Sequence, residues 1–123
     1  MGPEGTFKSS HPLATRATKA ASYRAKYTPP RVPVILEHAR STHHPRLEIA
    51  NTEFVCPSSL RLSEFMLNVR RKAMLPANIA VFLMVKGVLA TPANTMGELY
   101  EQGRDEDGWM YVVWTEESTF GCV

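Results

Sequence analysis

The chain has 123 residues, of which 44% are hydrophobic and 21% are charged, and its formal net charge is +2. This length suits a single domain with a hydrophobic core, and the apolar fraction argues against wholesale disorder. The longest uninterrupted apolar run, residues 79–85, is far shorter than the roughly 18 residues that a membrane-spanning helix needs. No apolar stretch lies near the N-terminus, so we expect no secretory signal.

Two cysteines, Cys56 and Cys122, are too few for a disulfide framework, and without a secretory signal they predict free thiols in a reducing compartment. Cys56 lies among apolar residues, which favours a packing role over a catalytic thiolate. His38, His43 and His44 have no cysteine or carboxylate at metal-ligand spacing. We therefore predict no enzyme activity, no catalytic residue, no metal and no other cofactor.

Charge is distributed unevenly along the chain. Residues 1–46 carry eight Lys and Arg against two Glu, whereas residues 98–117 carry seven Asp and Glu against one Arg. This polarity suggests acidic partners or an anionic surface for the basic half, although a solvated face is the more ordinary explanation of each single charge. A basic cluster at residues 70–72 has no interleaved aromatic residues, so we expect no nucleic-acid binding.

The first part of the chain predicts an arm, a surface helix and two strands. Residues 1–11 are typical of a loose arm, and the apolar stripe within residues 13–27 predicts an amphipathic helix. Residues 31–38 and 53–57 predict two short strands joined by a long polar connection. Pro33 cannot donate a ladder hydrogen bond, so we expect the first strand to have an open side near its start.

The second part predicts a crossover helix, a buried strand, a short helix and a last strand. Residues 62–73 carry an apolar stripe, and residues 79–85 are apolar at every position, which is typical of a strand covered on both faces. Residues 95–98 form a capping box for a short helix, and Gly103 suits the position just after its end. Residues 109–114 predict a last strand with two apolar faces.

This order of elements predicts an α+β fold of the β-grasp type, a mixed four-stranded sheet with a crossover helix and an N-terminal helical extension. The crossover should make the strand at residues 79–85 parallel to its sheet partner. One helix covers only one face of a sheet, and the last strand is apolar on both. We therefore expect the N-terminal helix to cover the second face.

The chain resembles the autophagy ubiquitin-like modifiers, the family of GABARAP and microtubule-associated protein light chain 3. The resemblance spans most of residues 7–121, and its motifs occur in family order: HP at 11–12, RVPVI at 31–35, FVCP at 54–57, EFMLNVRRK at 64–72, AVFLMV at 80–85, TMGELYE at 95–101, DGWMY at 107–111 and ESTFG at 117–121. It implies a ubiquitin-like β-grasp domain over residues 31–121. An N-terminal arm and helical subdomain with two helices would precede it, over residues 1–30.

The resemblance also implies C-terminal processing and lipid conjugation. A cysteine protease would cut after Gly121, recognise Phe120 just before it, and so remove residues 122–123. Ubiquitin-like activating and conjugating enzymes would then join the Gly121 carboxylate to phosphatidylethanolamine. A glycine lacks Cβ, so an extended chain that ends in it can pass through narrow active sites. The implied location is cytoplasmic, and the autophagosome membrane when the protein is lipidated.

The family also binds adaptor peptides of the aromatic-x-x-aliphatic type, as a strand added to the edge formed by residues 31–35. By resemblance, the pocket for the aromatic residue is formed by Lys19, Tyr23, Pro33, Glu53, Val55 and Trp109. The pocket for the aliphatic residue is formed by Phe54, Cys56, Pro57, Leu60, Phe65, Asn68 and Val69. Arg31 and Arg70 match basic positions near the acidic flanks of such peptides.

Some of these positions depart from the family pattern. Lys19 stands where relatives often carry an acid, and Glu53 stands where they often carry lysine, so the local charges look exchanged. Tyr23 and Trp109 are bulky and would make the first pocket smaller, while Asn68 would make the second pocket more polar. We expect the groove to be retained in outline and its sequence preference to differ.

Two classes of function remain open at this point. The first is a lipid-conjugated modifier that acts in autophagosome formation and docks adaptors. The second is an unlipidated ubiquitin-like binding module or a microtubule-associated adaptor, for which microtubules would be the partner. Only the first class predicts processing after Gly121.

Overall fold

A computed structural model describes residues 6–39 and 52–118. The elements in these ranges are α1 (Phe7–Ser10), α2 (Leu13–Lys26), β1 (Val32–His38), β2 (Glu53–Cys56), α3 (Leu62–Ala73), β3 (Ile79–Val85), β4 (Val88–Leu89), α4 (Met96–Gly103) and β5 (Met110–Ser118). The strands form one mixed sheet in the order β2-β1-β5-β3-β4. The short strand β4 makes it a five-stranded sheet, where the sequence predicted four strands.

The parallel pair of the sheet is β1 with β5, in which Val34 lies opposite Met110. β3 runs antiparallel to both of its neighbours, β5 and β4, so the prediction of a parallel partner for residues 79–85 was wrong. The α3 crossover does give β3 the same direction as β2, as the pairings β2–β1, β1–β5 and β5–β3 require. The two strands are not neighbours because β1 and β5 lie between them.

Pro33 lies in an inner strand, since β1 is flanked by β2 and β5. The expectation that residues 31–35 form a free edge was therefore wrong, and β2 is the edge strand on this side. Leu36 N donates to Thr52 O at 2.8 Å, and hydrogen-bonded pairs alternate in an antiparallel ladder, so the Pro33–Val55 pair is not hydrogen-bonded. The ladder with β5 begins only at Val34. The missing N–H of Pro33 is therefore needed on neither side.

The sheet carries a hydrophobic core on each face. One core includes Leu62, Phe65 and Val69 of α3, Met96 and Leu99 of α4, and Val112 and Trp114 of β5. The core on the other face consists of Phe7, Ala20, Ile35 and Trp109, with Tyr23 and Tyr111 packed against it. This arrangement confirms that the N-terminal helical segment covers the second face.

Residues 7–10 form the short helix α1, so the prediction of a loose arm was wrong for them. Thr6 begins α1 by accepting a hydrogen bond on its Oγ1 from Ser9 N at 3.1 Å. Phe7 is buried, and its ring lies 5.2 Å from that of Trp109 in an edge-on orientation. The two N-terminal helices that the resemblance implies are thus confirmed.

β3 is buried on one face only, against the prediction that both faces would be covered. Ile79, Val81, Leu83 and Val85 are buried, whereas Phe82 is 37% exposed. On this second face, α2 packs over β1, which β5 separates from β3. The capping box of α4 is confirmed. Glu98 N donates to Thr95 Oγ1 at 3.1 Å, and Thr95 N donates to Glu98 Oε1 at 2.8 Å.

Candidate peptide-binding edge

Among the described strands, β2 lies at one edge of the sheet and presents its side chains alternately to the two faces. Glu53 and Val55 face the α2 side, as do their β1 partners Ile35 and Pro33. The intervening Phe54 faces α3, where its ring meets that of Phe65 edge-on at 5.5 Å. The two sets of groove residues predicted from the sequence therefore fall on opposite faces of one edge strand.

The first set lies between β2 and α2. Lys19 of α2 binds the carboxylate of Glu53, with its Nζ 2.9 Å from Oε1 and 3.1 Å from Oε2. Tyr23 lies one turn further along α2, and its ring contacts Trp109 edge-on at 5.9 Å. Trp109 itself is fully buried, while Val55 is half-buried. The accessible part of the first set thus consists of Lys19, Tyr23, Glu53 and Val55, and Trp109 is its buried part.

The charges exchanged in the sequence are paired in the structure. The hydrogen bond that Lys19 donates to Glu53 raises the pKa of Lys19, an effect that burial opposes and the charge of Glu53 reinforces. Both side chains keep partial solvent access, with 40% of Lys19 and 29% of Glu53 exposed. The ion pair therefore connects α2 to β2 at the surface of the first set.

The second set lies between β2 and α3. Phe65, Val69 and Cys56 are buried, and Phe54 and Leu60 pack against them while remaining half-buried. The other two members lie at the margins of this apolar surface. Pro57 is exposed, and Asn68 accepts a hydrogen bond on its Oδ1 from Arg71 at 3.2 Å. This side of the edge offers a shallow apolar surface with a polar rim.

Burial raises the pKa of the Cys56 thiol to about 12, and the nearby charge of Arg31 only partly opposes this effect. A nucleophilic cysteine needs a lowered pKa and access to its substrate, and Cys56 has neither. Its position within the second set is that of a packing side chain.

The two predicted basic residues differ in availability. Arg31 stacks over Tyr27, with 4.5 Å between the guanidinium carbon and the ring centre. Arg70 donates to the carbonyls of Ile79 and Pro76 and so fastens the loop after α3. Lys72, for which no individual role was predicted, is exposed, and its Nζ lies 5.7 Å from the ring centre of Phe54. The i, i+3 spacing of Lys72 from Val69 on α3 was the signal that could have placed it there.

A buried polar network connects α2 to the turn before β5 and to β5 itself. The sequence analysis did not predict this network. The Asp107 carboxylate accepts hydrogen bonds from Arg16 Nε at 2.8 Å, Tyr111 OH at 2.6 Å and Trp109 N at 2.9 Å. Burial and the bond to Asp107 raise the pKa of Tyr111 well above its usual range, and the same carboxylate raises that of Arg16. Trp109 Nε1 completes the connection by donating to Arg16 O at 3.0 Å.

The remaining predicted site residues, Phe120 and Gly121, lie outside the described residues. The backbone of β5 extends to Ser118, which pairs with Ile79. Within residues 6–39 and 52–118, no three His, Cys, Asp or Glu side chains come together as a metal site. Among the helices in those ranges, none has the length and apolar character needed to cross a membrane.

Known proteins provide an independent comparison. Residues 15–121 match the family model described as "Autophagy protein Atg8 ubiquitin like". The chain is 38% identical over 116 residues to Autophagy-related protein 8d of Arabidopsis thaliana, covering 94% of each protein. It is 36% identical over 115 residues to Autophagy-related protein 8 of Pichia angusta, covering 94% of this chain and 90% of that protein.

A solved structure also matches the fold of this chain. The crystal structure of Trypanosoma brucei ATG8 matches with a TM-score of 0.81 and 29% sequence identity, over 94% of this chain and 97% of that chain. This likeness confirms the ubiquitin-like α+β fold and the family resemblance seen in the sequence. The chain belongs to the Atg8 family of ubiquitin-like autophagy proteins.

Proposed function

We propose that this protein is cut after Gly121, joined through that glycine to phosphatidylethanolamine, and serves in autophagosome formation as a docking platform for adaptor peptides. Its partners would be a processing cysteine protease, the ubiquitin-like activating and conjugating enzymes, the lipid, and aromatic-x-x-aliphatic peptides. It would act as a modifier and not as an enzyme, in the cytoplasm and on the autophagosome membrane. No relative reported above is named for microtubule binding.

The observation that carries the docking proposal is the placement of the two side-chain sets on opposite faces of β2. Side chains three residues apart in an extended peptide also point to opposite faces. A peptide that pairs with the β2 edge can therefore direct its aromatic residue toward α2 and its aliphatic residue toward α3. The second set continues past the end of β2 to Pro57 and Leu60, so such a peptide would run parallel to β2.

The backbone of β2 supports the same mode of binding. The alternation set by the Leu36–Thr52 hydrogen bond leaves the N–H and C=O of Glu53 and Val55 directed away from β1. The N–H and C=O of Val55 therefore lie on the outer side of β2, where a peptide strand could pair with them. Edge strands of this kind are the usual template for β-augmentation.

The lipidation proposal rests on family membership and on the residues that follow β5. Ser118 ends the strand, and the tripeptide Thr119-Phe120-Gly121 follows it in the sequence. Three extended residues reach about 10 Å at most, so Gly121 would stay close to the domain unless the enzymes draw it out. A terminal glycine imposes the least steric demand on their active sites.

Intact-mass measurement of the protein from starved native cells tests the processing step. We expect a species that ends at Gly121 and carries the mass of phosphatidylethanolamine. Gly121→Ala should block or slow conjugation, whereas the adjacent control Cys122→Ala should not. A single unmodified product that ends at Val123 in the unaltered protein would contradict the proposal.

Peptide affinity tests the docking edge. Val55→Pro removes an outward N–H without breaking the ladder with β1, so it should weaken binding of an aromatic-x-x-aliphatic peptide at least about tenfold. The control Val55→Ala keeps the N–H and should bind within a few-fold of the unaltered protein. Equal affinity for Val55→Pro and Val55→Ala, with both variants folded by circular dichroism, would rule out this edge.

A further inference from the structure

We propose that the first set admits only a small aromatic ring, so that the groove selects peptides whose aromatic residue is phenylalanine or tyrosine over peptides that carry tryptophan. The inference rests on the proposed docking edge and specifies its ligand class. It concerns how far an aromatic side chain can enter between α2 and the sheet, which the burial of Trp109 and the position of Tyr23 determine.

A row of three residues crosses the sheet beneath α2. Val55 of β2 pairs with Pro33 of β1. Trp109 directly precedes Met110, which pairs with the residue after Pro33, so Trp109 continues the row on the far side of β1. Val55 is half-buried, whereas Pro33 and Trp109 are buried. A ring that enters from a peptide strand outside β2 therefore contacts Val55 and meets no accessible surface beyond it.

The helix α2 closes the inner part of this row. The ring of Tyr23 lies against that of Trp109, with an interplanar angle of 80° and 5.9 Å between the ring centres. Ala20, one turn earlier on α2, is 1% exposed, and a Cβ on Gly108 would lie 3.1 Å from the Cβ of Ala20. Because protein interiors are close-packed, α2 leaves no space for a second large ring beside Trp109. Tyr23 thus occupies the place into which a larger ligand ring would extend.

Trp109 is held firmly in its position. Its Nε1 donates to Arg16 O at 3.0 Å, its N–H donates to Asp107 Oδ1 at 2.9 Å, and its ring centre lies 5.2 Å from that of Phe7. Displacing Trp109 would break hydrogen bonds between buried groups, which is unfavourable. Tyr23 is only half-buried on the surface of α2. Trp109 therefore limits the depth of the site, and Tyr23 is the side chain whose removal opens it.

The size of the ligand ring decides how well this shallow site accepts it. In a deep apolar pocket the larger indole would bind more tightly, because hydrophobic stabilisation grows with the area removed from water. In this site an indole has to displace Tyr23 or leave part of its ring in water, and overpacking a close-packed site is unfavourable. A phenyl or phenol ring can lie against Val55, flanked by Lys19 and Tyr23, without displacing either.

Fluorescence anisotropy with three labelled peptides tests this selectivity. The peptides share one aromatic-x-x-aliphatic sequence and differ only in the aromatic residue, which is phenylalanine, tyrosine or tryptophan. We expect the first two to bind with similar affinity and the tryptophan peptide to bind at least about threefold more weakly. Apolar area alone would give the opposite order, with tryptophan binding most tightly.

Substitutions of Tyr23 provide the matched comparison. Tyr23→Ala removes the ring beside Trp109, so the tryptophan peptide should bind this variant at least as tightly as the phenylalanine peptide does. Tyr23→Phe keeps the ring and should retain the order of the unaltered protein. The affinities are compared as a ratio within each variant, so a general loss of contact in Tyr23→Ala does not affect the result. Circular dichroism checks that both variants are folded.

Acrylamide quenching tests the cover over Trp109 without any peptide. The chain has two tryptophans, Trp109 and Trp114, and both are buried. Tyr23→Ala should increase the quenching of tryptophan fluorescence, whereas Tyr23→Phe should leave it as in the unaltered protein. Unchanged quenching in Tyr23→Ala would show that Tyr23 does not cover Trp109 and would overturn the inference.

The peptide results separate this inference from the proposed docking edge. If the unaltered protein binds the tryptophan peptide as tightly as the other two, or more tightly, the selectivity is overturned and the docking edge stands. If Tyr23→Ala keeps the order seen with Tyr23→Phe, another group sets the selectivity and the inference is also overturned. If no peptide binds, the docking edge and the selectivity fail together.

Discussion

Asp107 shows how much of this structure depends on one buried carboxylate. It is 1% exposed, lies in the turn before β5, and accepts hydrogen bonds from Arg16, Trp109 and Tyr111. A buried charge is costly unless its hydrogen bonds are satisfied, and here three donors from α2, the turn and β5 satisfy it. The network fixes α2 over β5 and keeps Trp109 beneath the candidate groove.

Asp107→Ala should therefore lower the free energy of unfolding by about 3 kcal/mol or more, because it leaves buried donors unpaired. Urea denaturation followed by circular dichroism measures this change. The neighbouring exposed Glu106 supplies the control, since Glu106→Ala should stay within about 0.5 kcal/mol of the unaltered protein. Similar effects of the two substitutions would show that the Asp107 network does not stabilise the fold.

The buried thiol of Cys56 predicts a loss of stability in alkali. The pKa of this thiol is raised from 9.0 to about 12. Its contribution to the free energy of unfolding is therefore complete below pH 9 and falls as the pH rises toward 12. Between pH 8 and pH 10 the loss should be about 1 kcal/mol, because only the unfolded chain ionises the thiol there. The difference in unfolding free energy between the protein and Cys56→Ala should narrow over this range, and a constant difference would contradict the assignment.

At the scale of the element, α4 illustrates why a glycine's role cannot be read from its position alone. The sequence predicted that Gly103 lies just after the end of the helix. It is instead the last helical residue of α4, and Arg104 follows as the C-cap with an extended backbone. A Cβ on Gly103 would lie 2.4 Å from Cγ1 of Val85, so the glycine permits close packing of α4 against β3.

Gly103→Ala should consequently destabilise the protein by about 1–3 kcal/mol, although alanine normally favours a helix over glycine. Val85→Ala removes the clashing methyl group and should make Gly103→Ala nearly neutral in that background. Thermal or urea denaturation of the four combinations measures the coupling directly. Additive effects of the two substitutions would contradict the packing explanation.

At the scale of the whole molecule, the uneven charge of the sequence proves to be partly internal. The basic N-terminal segment pairs with the acidic later segment through Lys8–Asp105 and Arg16–Asp107, both at 2.8 Å. Lys8 also lies 4.8 Å above the ring of Tyr111. Part of the polarity that suggested external partners thus helps to hold α1 and α2 on the second face of the sheet.

Salt should weaken the exposed part of this docking and spare the buried part. Lys8 and Asp105 are 47% and 18% exposed, so raising sodium chloride from about 0.02 to about 0.5 M should cost the protein less than about 1 kcal/mol. Most of that loss should be absent in Lys8→Ala, as measured by denaturant unfolding at each salt concentration. An unchanged salt dependence in Lys8→Ala would show that this pair does not contribute to the docking.

Local pattern predicted most of the elements because their signals lie within a few residues. The apolar stripe of α3, the capping box at Thr95 and the two-sided apolarity of β5 all follow from helix and strand periodicity. Family resemblance then supplied the groove residues, and their separation onto the two faces of β2 agrees with strand alternation. Their role in peptide binding and the conjugation of Gly121 stay predictions.

Errors arose where the answer depended on which strands become neighbours. Pro33 suggested an edge, but the edge is β2, because β5 returns at the end of the chain to fill the place beside β1. β3 runs in the direction of β2 and β5 in that of β1, so β3 is antiparallel to β5, and β1 and β5 separate it from β2. A strand that arrives last cannot be placed from the periodicity of those that precede it.

The sequence by itself determined most of the helices and strands, the family and the glycine at which processing is proposed. Only the tertiary structure decided that Lys19 pairs with Glu53, that Asp107 accepts hydrogen bonds from three donors, and that Val85 packs closely against Gly103. The physical reason is that side-chain pairing depends on distances between residues tens of positions apart. Those distances are set by how the N-terminal helices and the last strand close over one sheet.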